Sequence, residues 1–215
     1  MPSTSSPLTR RDPNERVPAE GIRDRLAGII MELVAAVPQT DQPVSQTPQA
    51  AARALARSAS RKAAAISGGA AMAPGPLGML TLVPELVAVW RVQAQMVSDI
   101  AGTFGKTATL NREQMMYCLF RHLLVQGLRD VVVRAGERYL VRHATARGLQ
   151  RLARLLGVNI SQRLAGKGLA RYVPGAGAML VAGYAYYDTA RVADTAIDLF
   201  GADIVMADAH EIVDV

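Results

Sequence analysis

Cys118 and His122 stand one helical turn apart, the spacing at which a thiol and an imidazole share a face and could act as nucleophile and base. That chemistry also requires a third group to orient the imidazole and an oxyanion site, and neither has a signature in the sequence. The alternative is a buried cysteine beside a hydrogen-bonded histidine. His143 and His210 are isolated, and three scattered histidines with one cysteine do not make a zinc-ligand pattern. Gly175-Ala-Gly177 matches part of a dinucleotide loop, but the third glycine is missing and no strand leads in. Gly68-Gly69 and Gly75-Pro76-Leu77-Gly78 lack the Gly-Lys-Ser/Thr ending of a phosphate loop. No catalytic residue, metal or cofactor is therefore expected.

The cations are arranged more distinctively. Arg134, Arg138 and Arg142 step by four residues into one stripe, which Arg147, Arg151 and Arg154 continue. From Arg121 to Arg171 eleven Arg or Lys face two acids, a balance of +9; from Tyr172 to Val215 seven acids face Arg191 alone, a balance of −6. The stripe, with Arg134, Arg138, Arg142, Arg151 and Arg154 as its expected contacts, could meet an anionic surface such as lipid headgroups. It could equally be a solvated face partly neutralised by Asp188, Asp194 and Asp198. Nucleic acid is the weaker partner, because only Tyr139 interleaves with the arginines and no recognition motif is present.

Two uncharged, small-residue segments dominate the chain. Ala63–Pro84 runs for 22 residues, and Tyr172–Tyr187 (YVPGAGAMLVAGYAYY) is similar in character. As a straight helix the first would reach about 33 Å, just enough to span a bilayer core. It contains three prolines and four glycines, however, and Ala73-Pro74-Gly75-Pro76 should force a turn. Gly68, Gly69, Pro74, Pro76, Gly78, Gly175, Gly177 and Gly183 are thus read as residues of helical-hairpin packing or shallow insertion. Rows such as Ala65/Gly69/Ala73 and Ala178/Ala182 would let backbones approach closely. Such hairpins suit either a buried core or a dip into one leaflet, where Arg57, Arg61, Lys62 and Arg91 could meet headgroups.

The elements that must position these residues are all helical. Residues 1–16 are rich in Ser, Pro and charge and read as a disordered arm, with no apolar stretch of the signal-peptide kind. Ile22, Leu26, Ile29, Ile30, Leu33 and Val37 mark an amphipathic helix over 17–37, followed by a proline-rich loop over 38–48. A second helix is expected over Gln49–Ile66, ending before Gly68-Gly69. A third runs to Phe104 on a stripe of Leu86, Val89, Trp90, Val97 and Ile100, with Gly105 at its left-handed cap. Asn111 with Gln114 is a capping-box variant opening a helix that carries Cys118 and His122. Basic helices cover 128–156, a short one follows over 160–170, and a last helix runs from Pro174-Gly175 to Phe200. The remaining residues, 201–215, read as an irregular acidic tail. With 50% apolar but only 5% aromatic residues, the expected fold is an all-α bundle, a single domain over 17–200 with no sheet. The single cysteine allows no internal disulfide, as befits a reducing compartment.

Two stretches resemble the EcsC family of bacterial helical proteins. One is KAAAISGGAAMAPGPLGMLTLVPELVAVWRVQAQMVSDIAGTFG (62–105), with a small-residue run, a Gly-Pro-Leu-Gly turn, a proline before a long helix and a closing glycine. The other is LARYVPGAGAMLVAGYAYYDTARVADTAIDLF (169–200), a Pro-x-x-Gly entry into a final helix. The resemblance implies an all-helical protein, sometimes encoded beside an ABC transporter, and brings no catalytic residues.

The expected function is that of a non-enzymatic accessory or interaction protein, cytoplasmic or peripheral to the inner membrane. Its expected partner is an anionic membrane surface or a membrane-protein complex. The alternative is a bundle that holds a lipid-like ligand in a cavity lined by Met72, Met79, Met96, Met115 and Met116.

Overall fold

The computed structural model describes residues 19–72, 81–127, 150, 152–158, 160 and 176–211, and among them the chain is all-α with no strand. The helices are α1 (Ala19–Ala35), α2 (Pro48–Ala71), α3 (Leu82–Thr103), α4 (Arg112–Gly127) and α5 (Ala176–Glu211). A 3-10 turn at Thr107–Thr109 precedes α4, and residues 152–158 are also helical. The expected arm over 1–16, the Ala-Pro-Gly-Pro turn and most of the basic helices lie outside the described residues.

Burial follows the apolar spacing. Leu26, Ile30 and Val34 repeat every four residues along α1 and are fully buried, with α1 packed on α3 and α4. Trp90 of α3 meets Phe120 of α4 edge to face, with ring centroids 5.3 Å apart. Val97 and Ile100 of α3, Met115 and Leu119 of α4, and Val192, Ala196 and Phe200 of α5 complete one core. Among the described helices the longest, α5, touches α2, α3 and α4, and its contact with α2 is the most extensive.

That contact corrects the expected end of α2. The helix does not stop at Ile66 but passes through Gly68 and Gly69 to Ala71. Glycine lowers helix propensity by about 1 kcal/mol, yet tertiary packing outweighs it here. A Cβ at Gly68 would lie 3.2 Å from Ala182 Cβ, so the absent side chain is what lets α5 approach. The packing face is also two residues off the expected row. Ala59, Ala63, Ser67 and Ala71 are buried, whereas Ala65 and Gly69 are exposed.

Both expected helix signals beside α3 and α4 take the form their residues require. Gly105 has φ +68, Lys106 N–H donates to Ala101 O (2.8 Å) and Gly105 N–H to Gly102 O (3.0 Å), a Schellman ending. Gln114 N–H donates to Asn111 Oδ1 (2.9 Å) and Asn111 N–H to Gln114 Oε1 (3.3 Å), a reciprocal capping box. The 36–47 loop crosses the end of α3, where Ser45 N–H donates to Thr103 O (3.0 Å) and Thr40 Oγ1 to Asp99 Oδ1 (2.7 Å). Gly102 makes room for this crossing, since a Cβ there would meet Gln42 O at 3.0 Å.

The final helix also departs from expectation. α5 continues beyond Phe200 to Glu211, so the acidic segment is helical at least that far. Residues 202–211 contain neither proline nor glycine and include several strong helix formers, so nothing local stops the helix.

The two neighbouring glycines of α2 should respond in opposite ways to a large side chain. Gly68→Leu is expected to lower stability by about 1–3 kcal/mol through overpacking against Ala182. Gly69→Leu, with open space around its Cβ position, should be neutral or slightly stabilising. Urea unfolding of the two variants checks this.

Candidate functional site

The first place where polar chemistry gathers is inside the bundle, where α3, α4 and α5 meet. His122 Nε2 lies 2.8 Å from Asp188 Oδ1, an ion pair whenever the imidazole is protonated. From α3, Gln93 Nε2 donates to Asp188 Oδ2 (3.0 Å) and to Thr189 Oγ1 (3.1 Å). Gln93 and Thr189 are fully buried, and among the described residues His122 Nδ1 and Gln93 Oε1 have no hydrogen-bond partner, while His122 Nε2 meets Asp188 as a charge contact rather than an aligned hydrogen bond. Polar groups enclosed in this way cost stability unless paired, so the cluster specifies which faces of the three helices meet.

Cys118 shares α4 with His122, as the spacing implies, but it is a core side chain. It is fully buried, and desolvation pushes its thiol up from the ordinary 9.0 to about 12, against a smaller opposing pull from Arg121. Almost no thiolate exists near neutral pH in such a site. His122 is turned to Asp188, and the arrangement is that of a structural cysteine beside a paired histidine. Among the described residues, no group of three or more His, Cys, Asp or Glu is placed to hold a metal ion. His143 lies outside those residues, and His210 falls in the final turn of α5.

The second place is one end of the bundle. Ala63 packs with Val89 and Ala185, Gly68 with Ala178 and Ala182, and Ser45, just before α2, bonds to Thr103 at the end of α3, so α2 runs antiparallel to both α3 and α5. From these packed levels, α2 rises through Ala63–Met72 while α5 begins at Ala176 and α3 at Leu82. Met72 is 75% exposed, Met179 78% and Leu180 70%, and all three belong to this end. Between Ala63 and the end of the described α2, about 14 Å of helix, the three segments carry a single acidic or basic residue. It is Glu85, only 8% exposed.

A polar rim lies just below. The same register places Arg61 and Lys62 of α2 level with Tyr186 and Tyr187 of α5, and with Arg91 of α3. All five are exposed. Arg191 lies one turn further along α5, stacked over the Tyr187 ring at 5.1 Å, with its Nε donating to Tyr187 Oη (3.0 Å). Within the described residues, no ion pair engages Arg61, Lys62 or Arg91.

The expected site residues therefore divide. Gly68 and Gly177 pack, while Gly69 and Gly183 are exposed with open space at their Cβ positions. Arg154 is exposed. Arg134, Arg138, Arg142, Arg151, Pro74, Pro76, Gly78 and Gly175 lie outside the described residues. Of the methionines read as a cavity lining, Met96, Met115 and Met116 are packed in the core, Met72 is exposed, and Met79 is not among the described residues. Sequence reasoning missed Gln93 and Thr189. The legible signal was Gln93 itself, three residues after Trp90 and four before Val97, within an otherwise apolar buried stripe.

No protein-family model, curated protein or solved structure matches this chain. Among the described residues, no helix is long and apolar enough to cross a membrane.

Removing the carboxylate with Asp188→Ala should deprive His122 of its partner, leave Gln93 Nε2 only Thr189 Oγ1, and lower stability by about 1–3 kcal/mol in urea unfolding. Cys118 should react with a thiol reagent at pH 8 only as fast as the chain unfolds. Between pH 9.0 and about 12 the unfolded chain releases the Cys118 proton while the folded chain keeps it. The contribution of this group is thus fully present below pH 9.0 and declines above it, by up to about 1.4 kcal/mol per pH unit. Relative to wild type, Cys118→Ala should show a shallower loss of stability across that range.

Proposed function

We propose that this chain is a non-enzymatic helical accessory protein that associates peripherally with an anionic membrane surface through one end of its bundle. The observation that carries the reading is the pairing of an uncharged end, exposing Met72, Met179 and Leu180, with a rim of Arg61, Lys62, Arg91, Tyr186 and Tyr187. Tyrosines favour the boundary between hydrocarbon and water, and basic side chains just outside it are attracted to acidic headgroups. Exposed methionine and leucine at this density mark an interaction surface more readily than a solvated helix end. Shallow insertion of about 5–10 Å would immerse the uncharged end and leave the rim at headgroup level.

This reading retains the expected membrane association but supports it with Arg61, Lys62 and Arg91 rather than the arginine stripe after Arg121. It agrees with the membrane link that the EcsC resemblance implies. The polar cluster around His122 is a packing device on this view, which holds α3 and α5, two of the three helices that carry the rim, in register.

Flotation of the purified chain with vesicles tests the proposal. Binding to vesicles of phosphatidylcholine mixed with phosphatidylglycerol is expected, with little binding to phosphatidylcholine alone. Met179→Ser/Leu180→Ser should weaken that binding about tenfold or more without lowering Tm, because both side chains are solvent-exposed in the free protein. Wild-type protein that stays at the bottom of the gradient with both vesicles would refute membrane docking.

A further inference from the structure

We infer that the groove between α2 and α3, entered between Lys62 and Arg91, binds the phosphate of an anionic phospholipid headgroup; the inference rests on the membrane reading above. The groove encloses about 300 Å³, at the lower end for small-ligand pockets. Its polar lining comprises Ser58 and Lys62 from α2 and Arg91, Gln95 and Asp99 from α3. The antiparallel register sets Lys62 and Arg91 at the rim, the depth at which a lipid phosphate lies when the apolar end is immersed. Two cations from facing helices, neither held by a carboxylate among the described residues, converge on one cleft.

The groove is graded in charge along its length. Asp99 lies eight residues beyond Arg91, about 12 Å further from the apolar end. Its Oδ1 already accepts hydrogen bonds from Thr40 Oγ1 (2.7 Å) and Gln95 Nε2 (2.9 Å). The acid is thereby tied to the 36–47 loop, and Gln95 Nε2 also donates to Gln39 O (2.9 Å). Lys62 and Arg91 line the end of the groove that lies nearer the apolar end of the bundle. An ammonium and a guanidinium on opposite walls suit a phosphate, with Arg supplying a planar pair of donors and Lys a point charge. Ser58, one turn before Lys62 on the same wall, adds a hydroxyl to the lining.

The test compares two double variants that remove the same charge. Lys62→Gln/Arg91→Gln empties the mouth of the groove, whereas Arg53→Gln/Arg57→Gln removes exposed cations of α2 outside it. Arg53 lies about 14 Å further along the axis than Lys62, beyond a Debye length of about 10 Å at moderate salt. The groove variant should bind phosphatidylglycerol-containing vesicles about tenfold or more weakly, the control no more than about threefold. Lys62→Arg/Arg91→Lys, which keeps both charges, should restore most of the binding. Separately, millimolar glycerol phosphate should raise the Tm of wild type but not of the groove variant.

Equal weakening in the two double variants would overturn the groove as a site and leave only a diffuse cationic rim. Wild type that does not float, yet is stabilised by glycerol phosphate through Lys62 and Arg91, would overturn the lipid as ligand in favour of a soluble phosphate ester. Flotation without any Lys62- and Arg91-dependent stabilisation by glycerol phosphate would overturn phosphate binding while leaving membrane docking standing.

Discussion

The close approach of α2 and α5 is the constraint on which the remaining structure depends. Gly68 against Ala182, and Ala63 against Val89 and Ala185, allow three helix backbones to come together with almost no side-chain thickness between them. Small residues provide little apolar area each, so such a contact gains its strength from length and from dispersion between many closely spaced atoms. It also leaves little freedom in register. Once Ala63 sits against Ala185, the levels of Lys62, Tyr186, Tyr187 and Arg91 follow from helix rise alone.

The same constraint decides where the buried polar groups lie. With α5 held on α2, Asp188 reaches His122 of α4 and Gln93 of α3, on the side of α5 away from solvent. A cluster of this kind adds modest net stability, because each group gives up water to gain its partner. Its larger effect is on uniqueness: rotating α4 or sliding α3 by one residue would strand an imidazole or a carboxamide in an apolar core. Cys118 lies in this same core, where burial disfavours its thiolate.

Two kinds of surface result from one packing arrangement. Near the 36–47 loop the bundle is closed by hydrogen bonds from Thr40, Ser45 and Gln95, and its chemistry is polar. At the opposite end the helices finish in Met72, Met179 and Leu180, whose exposure departs from the pattern of the core helices. Tyrosines and exposed cations mark the boundary between these two regimes. The polarity gradient along the bundle axis is what distinguishes this chain from an evenly solvated helical domain.

Helix identity was legible in the sequence because it depends on local chemistry. The Asn111–Gln114 cap, the Gly105 ending and the Leu26/Ile30/Val34 stripe are each determined within a few residues of chain. Interruptions were not legible where tertiary contact overrides local preference: α2 passes through Gly68-Gly69, with α5 packed on Gly68 while Gly69 stays exposed. The partnership of His122 with Asp188 was not legible, since 66 positions separate the two residues and no local rule links them. Nor was the rim, although Arg61, Lys62 and Arg91 were visible as cations, because their common level depends on the register of three helices. The sequence alone therefore determined the all-α class, the caps and the uncharged segments, which arise from short-range propensity and periodicity. Only the tertiary structure decided which small residues touch, which polar groups are enclosed and which cations share a level, because those depend on how whole helices dock.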